Sequence, residues 1–209
     1  MKLGLRASEL CNIKLAEIDI QSTTVQDAYP ELGSHWALSG RPNALYIPND
    51  RERNKSYRPR VLPLDQETGQ LLERYLFARP DHGEPWLFLS KNRHNQHEHV
   101  DITDVWKDAF RPMYGETEHH RAVGSHFGRH FFTTYRRIEQ GLDRRLIRYM
   151  RGDRAEGDMI LNRNGIDEYL HTYYEDIEDV YREQVFELST CLSSDFMDEP
   201  ARDTITGVG

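Results

Sequence analysis

Residues 124–132 have the sequence Gly-Ser-His-Phe-Gly-Arg-His-Phe-Phe, and two polar side chains in this stretch carry most of its information. His126 and Arg129 are three positions apart, so they share one face of the helix that we predict over 125–140. A further arginine, Arg6, lies near the start of the chain. Guanidinium groups bind phosphate through a planar fork of donors, and imidazole can donate or transfer a proton. Together these side chains are suited to binding one phosphate group.

The segment around Arg6 is Gly-Leu-Arg-Ala-Ser-Glu-Leu, residues 4–10, and it places Glu9 three positions after the arginine. In a helix the two side chains are neighbours, and such a pair is most often a surface ion pair. We predict that Glu9 holds Arg6 or its helix in position rather than reacting itself. Taken alone, His126 is likewise more often a buried core histidine than a functional group.

Length and composition indicate a folded domain. The 209 residues are enough to bury a core, and 37% hydrophobic with 11% aromatic residues is typical of a packed chain. No apolar run approaches the roughly 18 residues of a membrane span, and no signal peptide opens the sequence. Cys11 and Cys191 show no spacing typical of zinc or of a disulfide framework. We therefore expect a cytoplasmic protein.

Charge is distributed unevenly along the chain. The net charge of -8 argues against nucleic acid as a partner. Residues 51–60, however, carry five bases against one acid, and residues 121–154 carry nine arginines against three acids. Residues 155–209 carry fourteen acids against three arginines. Concentrated positive regions of this kind can still bind DNA locally.

The apolar pattern predicts a mainly α-helical domain with a small three-stranded antiparallel sheet near its start. The predicted strands are Ala44–Pro48 and Arg60–Leu64, which flank a basic turn, and Gln21–Val25 as the third. A short extended piece at 85–89 and a loop at 152–165 are also expected. The predicted helices span residues 5–17, 65–78, 100–113, 125–140, 143–151 and 166–189.

A tyrosine-rich segment, residues 169–174, follows and could supply a nucleophile. The order of an arginine, a His-x-x-Arg pair and a tyrosine, with a small sheet after the first arginine, resembles the catalytic domain of the tyrosine recombinases, or phage-type integrases. The resemblance covers roughly residues 3–185. Each motif alone recurs by chance in many helices, whereas the whole set in this order is a specific signal.

The resemblance implies roles for five side chains. Two arginines neutralise the phosphate in the transition state, a histidine moves a proton, a lysine protonates the leaving oxygen and a tyrosine attacks. A tyrosine has an ordinary pKa of about 10 and needs such an arginine field to attack as phenolate. The implied catalytic residues are Arg6, Lys55, His126, Arg129 and Tyr169.

The lysine assignment depends on position. Lys55 stands five residues ahead of Arg60, which opens the predicted strand, as the resemblance requires. Arg53 and Arg58 are neighbours that could take its place, and we expect Arg58 to contact the substrate.

Two departures from the family pattern are expected to matter. Asp153 stands where a histidine or tryptophan ring is usual, and an aspartate can accept a bond from an arginine or from the nucleophile. We assign Asp153 and the nearby Arg151 to substrate binding. Tyr169 lies sixteen residues beyond Asp153, a longer spacing than usual, so Tyr173 and Tyr174 remain rival nucleophiles.

The resemblance implies site-specific recombination of double-stranded DNA through a 3′-phosphotyrosine intermediate. It implies no metal or nucleotide cofactor, because the bond energy stays in the phosphodiester, and it implies a homo-oligomer that is a tetramer in the active synapse. Residues 1–189 would be the catalytic domain and 190–209 a C-terminal tail. The chain begins five residues before Arg6, so the N-terminal core-binding domain of such proteins is expected to be absent.

Other interpretations stay open at this point. A truncated, non-catalytic integrase remnant could act as a DNA-binding or regulatory protein, and an interaction protein without DNA affinity is a third possibility. A run of arginines, including Arg144 and Arg154, could follow DNA phosphates or simply face solvent. Loop histidines without acids or cysteines at ligand spacing rarely bind metal, which applies to residues 94, 97, 99, 119 and 120.

Overall fold

The structure is a computed structural model that describes residues 1–80, 83–110, 115, 117–118, 123–124, 126–154 and 164–188. For residues 164–173 it describes the backbone alone. The described residues form a mainly helical domain with a small antiparallel sheet. None of the helices in these ranges is long and apolar enough to cross a membrane.

Apart from an additional α-helix at Thr23–Ala28, the helices follow the predicted order. A π-helical turn at Tyr135–Glu139 continues the α-helix Phe127–Thr134, and the two together cover most of the single longer helix predicted over 125–140. Two 3₁₀ turns, Leu15–Glu17 and Trp36–Leu38, lie near the start of the chain. The α-helices are α1 (Ala7–Cys11), α2 (Thr23–Ala28), α3 (Gln66–Ala78), α4 (His99–Phe110), α5 (Phe127–Thr134), α6 (Arg144–Arg151) and α7 (Asn164–Gln184).

The sheet has two strands, β1 (Ala44–Ile47) and β2 (Arg60–Pro63), which pair antiparallel with Ala44 opposite Pro63. Every residue of both strands is buried. Helix α7 packs against β2, and α6 is tied to the same strand through Tyr149, whose hydroxyl accepts from the Val61 amide at 3.1 Å. The strands therefore lie in the core, between the chain start and the C-terminal helices.

The predicted third strand, Gln21–Val25, is wrong. Residues 23–28 are α2, and the only remnant of a third strand in the described ranges is a one-residue bridge between Ile18 and Leu45. Ser22 precedes the helix and donates a hydrogen bond to Glu73 of α3 at 2.6 Å. Contact with α3 thus overrides the β propensity of the threonine and valine side chains.

The helix predicted over 5–17 is interrupted after Cys11. The side chain of Asn12 donates to Asn54 at 2.8 Å, and the backbone then runs extended beside residues 85–87. There the Leu87 amide donates to the Ile13 carbonyl at 2.8 Å. The extended piece predicted at 85–89 is the partner that takes these backbone bonds away from the helix.

Candidate active site

Three arginines from distant parts of the chain meet at the Asp153 carboxylate, and we call Arg6, Arg129 and Arg151 the arginine cluster. Oδ1 of Asp153 accepts from Nη2 of Arg129 at 2.6 Å and from Nη2 of Arg6 at 3.2 Å. Oδ2 lies 2.8 Å from Nε of Arg151. That nitrogen is buried and lacks hydrogen-bond geometry, so the contact is an ion pair. The cluster thus presents positive charge to one shared anion.

Backbone carbonyls fix the arginines behind this anion. Nη1 of Arg129 donates to the Gly4 carbonyl at 2.6 Å, and its Nη2 donates to the Arg151 carbonyl at 2.8 Å. Arg6 reaches the same Arg151 carbonyl at 3.3 Å. Gly4 has a left-handed φ of 63°, and a Cβ there would lie 2.6 Å from the Phe132 ring. Only glycine fits this position, which aims the carbonyl at Arg129.

Glu9 supports the cluster from inside the protein. Its carboxylate accepts from Nη1 of Arg6 at 3.0 Å and from Nη2 of Arg60 at 2.9 Å, and the Ser56 hydroxyl also donates to it. Both side chains of the Glu9–Arg60 pair are almost fully buried. Glu9 therefore joins α1 to β2 and to the loop before it, and holds Arg6 as the sequence suggested.

The charge state of Glu9 follows from these contacts. Burial alone would raise the pKa of Glu9, but the Arg60 charge and the hydrogen bonds from Arg60, Arg6 and Ser56 lower it to about 2. Glu9 is therefore ionised at neutral pH. Burial also lowers the pKa of Arg129, aided by the Arg6 charge and opposed by Asp153, to about 10, so Arg129 stays protonated at neutral pH.

Gly152 links the β1–β2 loop to the site. It ends α6 in the left-handed conformation with φ 64°, and its carbonyl accepts from the Tyr57 amide at 3.1 Å. A Cβ at this position would lie 2.4 Å from Nη1 of Arg60. The close approach brings the residue that follows, Asp153, over the arginine cluster.

The remaining candidate side chains lie at the edge of this arrangement. His126 immediately precedes α5 and is exposed, one turn before Arg129. Lys55 is exposed in the β1–β2 loop, directly before Ser56, while Arg58 is half-buried. The structure brings Arg6, Arg129, Arg151 and Asp153 together, and leaves His126 and Lys55 with side chains open to solvent.

Helix α7 carries all three candidate nucleophiles, Tyr169, Tyr173 and Tyr174. The backbones of Tyr169 and Tyr173 lie in α7, but their side chains fall outside the described part of the chain. Tyr174 is buried against the sheet, and its hydroxyl donates to Glu178 at 3.1 Å. Burial and the Glu178 charge raise the pKa of Tyr174 to about 12. Tyr174 is thus a core residue unsuited to attack a phosphate.

No group of three histidine, cysteine, aspartate or glutamate side chains among the described residues could hold a metal ion. Of the histidines considered in loops, residues 119 and 120 lie outside the described ranges. His97 instead pairs with Asp101 of α4 at 2.8 Å.

Sequence reasoning missed several supporting residues. Gly4, Ser56 and Gly152 belong to none of the sequence motifs, and the pattern identifies Arg60 only as the start of a strand. Gly152 lies between Arg151 and Asp153, and Gly4 lies two positions before Arg6, which is a signal that could have found them. No local signal distinguishes Arg60 from the other bases of residues 51–60, because its burial depends on Glu9.

Comparison with known proteins gives a consistent result. The profile of the phage integrase family matches residues 1–154. The tyrosine recombinase XerA of Pyrococcus horikoshii is 29% identical over 149 residues, which is 71% of this chain and 42% of that protein. A crystal structure of XerA recombinase has a TM-score of 0.52 at 20% identity, covering 82% of this chain and 54% of that chain.

A Tn1549 transposon integrase, solved in complex with transposon right end DNA, has a TM-score of 0.50 at 18% identity and covers 82% of this chain. This chain spans about half the length of these relatives, or somewhat less. At such low identity the solved structures show a shared fold. Because the family profile covers most of the sequence, the chain belongs to the phage integrase family.

Proposed function

We propose that this chain carries the strand-cleaving and rejoining chemistry of a tyrosine-type site-specific DNA recombinase. The observation that carries the proposal is the convergence of Arg6 and Arg129 on one oxygen of a single anion, Oδ1 of Asp153. Two guanidinium groups at that spacing can neutralise two oxygens of one phosphate, which is where negative charge builds up during phosphoryl transfer.

In the proposed reaction the Tyr169 hydroxyl attacks the scissile phosphate of double-stranded DNA. A bond forms between the phenolic oxygen and phosphorus, and the bond from phosphorus to the 5′ oxygen breaks. Lys55 gives a proton to that leaving oxygen, and His126 moves the proton of the nucleophile. The 5′-hydroxyl of a partner strand later attacks the 3′-phosphotyrosine and frees the tyrosine, so the number of phosphodiester bonds is conserved.

Positions in the fold support some of these assignments. His126 lies one turn before Arg129 on α5, and Lys55 precedes Ser56, whose hydroxyl contacts Glu9 behind Arg6. Arg58 and Arg151 would add positive charge along the DNA backbone.

The proposal extends to the assembly. Residues 1–189 would act as the catalytic domain and 190–209 as a tail, in a cytoplasmic homo-oligomer that is a tetramer in the active synapse. Recombination exchanges strands between paired sites, and each exchange needs its own nucleophile.

Covalent trapping tests the proposal. The full chain is incubated with a pool of nicked duplexes of randomised sequence, in which cleavage near the nick releases a short fragment and prevents rejoining. We expect a protein–DNA adduct that resists denaturant, is lost in Tyr169→Phe and is kept in Tyr173→Phe. The reverse pattern would move the nucleophile to Tyr173 and leave the reaction as proposed.

Two other outcomes would contradict the enzyme. DNA binding that weakens with salt, without any adduct, would favour the non-catalytic DNA-binding remnant. No binding even at low salt would favour an interaction protein without DNA affinity.

A further inference from the structure

The Asp153 carboxylate stands where the proposed phosphate has to bind. The Nη2 groups of Arg6 and Arg129 both donate to the same oxygen, Oδ1 of Asp153. The other Nη groups of these two arginines donate to protein acceptors on their far sides, Glu9, Gly4 and Arg151. The Nη2 groups of both arginines, which are left to meet a phosphate, are therefore already engaged by Asp153.

Asp153 and a phosphate would compete for the same donors of Arg129. Its Nη2 group has two N–H bonds, one directed to the Arg151 carbonyl at 2.8 Å and the other to Asp153 at 2.6 Å. A phosphate oxygen can receive a hydrogen bond from this group only if one of these acceptors moves. The carbonyl belongs to the last residue of α6, whereas the aspartate side chain can leave by rotation about its own bonds.

Solvent reaches this carboxylate. Asp153 keeps 26% of its side-chain surface exposed and Arg151 keeps 28%, while Arg129 beneath them keeps 7%. An incoming anion can therefore approach the arginine cluster from the side that the carboxylate occupies. Two adjacent anions would repel each other, which favours exchange over joint binding.

We propose that Asp153 is a built-in competitor for phosphate, which holds the arginine cluster together in the free protein and is displaced when a DNA phosphodiester binds. The inference rests on the proposed function, because it assumes that a phosphate binds to these arginines. Its consequence is selectivity. A free phosphate ion must displace Asp153 with its own contacts alone, whereas duplex DNA brings further backbone contacts that help to displace it.

The test compares two Asp→Asn substitutions on opposite ends of α6. Asp153→Asn keeps the shape of the side chain and removes its charge. Asp143→Asn removes an equal charge at the other end of the helix, where Asp143 caps the first turn and pairs with the exposed Arg145. Asparagine caps helices as well as aspartate does, so this control should fold normally.

Inorganic phosphate is titrated into each full-length protein at constant ionic strength, with heat of binding as the readout. We expect Asp153→Asn to bind phosphate about tenfold more tightly than the unsubstituted protein, as the loss of one charged competitor implies. Asp143→Asn should change the affinity less than twofold. Equal affinity in Asp153→Asn and the unsubstituted protein would overturn the proposal, as would an equal gain in both variants.

A measurement on the unsubstituted protein keeps the test decisive if Asp153→Asn does not fold. With ¹³C-labelled aspartate, the Asp153 carboxyl resonance should shift as phosphate binds, because the carboxylate leaves the arginines. Phosphate binding without any shift of that resonance would refute the exchange.

The trapping assay separates the two proposals. If Asp153→Asn binds phosphate more tightly but no protein forms a covalent adduct, Asp153 competes with phosphate and the recombinase reaction is rejected. If an adduct forms but Asp153→Asn binds phosphate no more tightly, the recombinase reaction stands and the competition by Asp153 is rejected.

Discussion

Two arginine–carboxylate sites adjoin at Arg6, and they differ in their access to solvent. Glu9 and Arg60 form a sealed pair, with 0% and 1% of their side-chain surfaces exposed. Asp153 is partly exposed and is shared by three arginines. The same charge chemistry thus serves two purposes. The sealed pair fixes the position of Arg6 relative to the sheet, and the open site leaves room for exchange with a ligand.

The largest effect is expected from breaking the sealed pair. Glu9→Gln should lower the free energy of unfolding by about 4 kcal/mol, because Arg60 would remain buried without a counter-ion. Urea denaturation measures this change. Asp104→Asn, which removes one partner of the exposed Asp104–Lys107 pair, is the control and should cost about 0.5 kcal/mol or less. Similar losses in the two variants would show that burial does not distinguish the sites.

The stability contributed by the Glu9–Arg60 pair should depend on pH. The pKa of Glu9 is about 2 in the folded protein, below its unfolded value of about 4.3, so the unfolded chain takes up the proton first as the pH falls. The stabilisation from Glu9 is complete above about pH 5 and is lost as the pH approaches 2, on the order of 3 kcal/mol. Stability measured against pH should show a gap between the unsubstituted protein and Glu9→Gln that narrows through this window. A gap that stays constant down to pH 2 would contradict the assigned pKa.

At the open site the expected loss is in activity. Arg129→Lys should reduce the rate of covalent adduct formation about 100-fold, because an ammonium group cannot bind the Gly4 carbonyl, the Arg151 carbonyl and a phosphate in one plane. Arg145→Lys, at an exposed ion pair of α6, should leave the rate unchanged. An undiminished rate in Arg129→Lys would mean that the planar fork is not used.

The glycine between the two sites should be sensitive to a single methyl group. Gly152→Ala should cost about 2 kcal/mol of stability, from the left-handed backbone and from displacement of Arg60. Gly69→Ala in α3 is the matched control, since its Cβ meets nothing within 4 Å, and it should stabilise by up to about 1 kcal/mol. Thermal denaturation distinguishes these opposite signs. If Gly152→Ala is as stable as the parent, the added methyl group strains neither the backbone nor the position of Arg60.

The smallest expected change sharpens the contrast. Asp153→Asn should lower stability by about 1 kcal/mol, because three arginines lose a partly exposed counter-ion. Millimolar phosphate should then raise the melting temperature of this variant more than that of the unsubstituted protein, since a ligand stabilises the state it binds. An identical phosphate response in both proteins would argue that the sites do not differ in exchange.

Sequence patterns predicted the helices well where periodicity was strong. The apolar spacing of Leu72, Tyr75 and Leu76 predicts a helix over 65–78, and α3 spans Gln66–Ala78 with Asp65 as its N-cap. The prediction of a third strand was wrong, because the threonines and the valine of 21–25 have the local pattern of a strand. The helix that forms there contacts α3, and Ser22 before it donates to Glu73, which is distant in sequence.

For the candidate site, too, the sequence predicted some of the contacts and not others. The order of motifs predicted that Arg6 and Arg129 lie together, and the structure shows both on Asp153. The roles of Lys55 and Tyr169 stay predictions. Sequence could not reveal that Arg60 is buried, because that depends on a carboxylate from another element.

The Arg151 carbonyl, which receives bonds from both Arg6 and Arg129, has a consequence for mutational tolerance. An oxygen of the main chain persists through every substitution at its position, and here it sits at the negative end of the α6 dipole, where cations are favoured. Substitution of Arg151 can therefore remove its guanidinium from the surface of the site without removing the carbonyl that accepts from Arg6 and Arg129. The orientation of the two principal arginines depends on the path of the backbone, which insertions or deletions in α6 would alter and substitutions of Arg151 would leave intact.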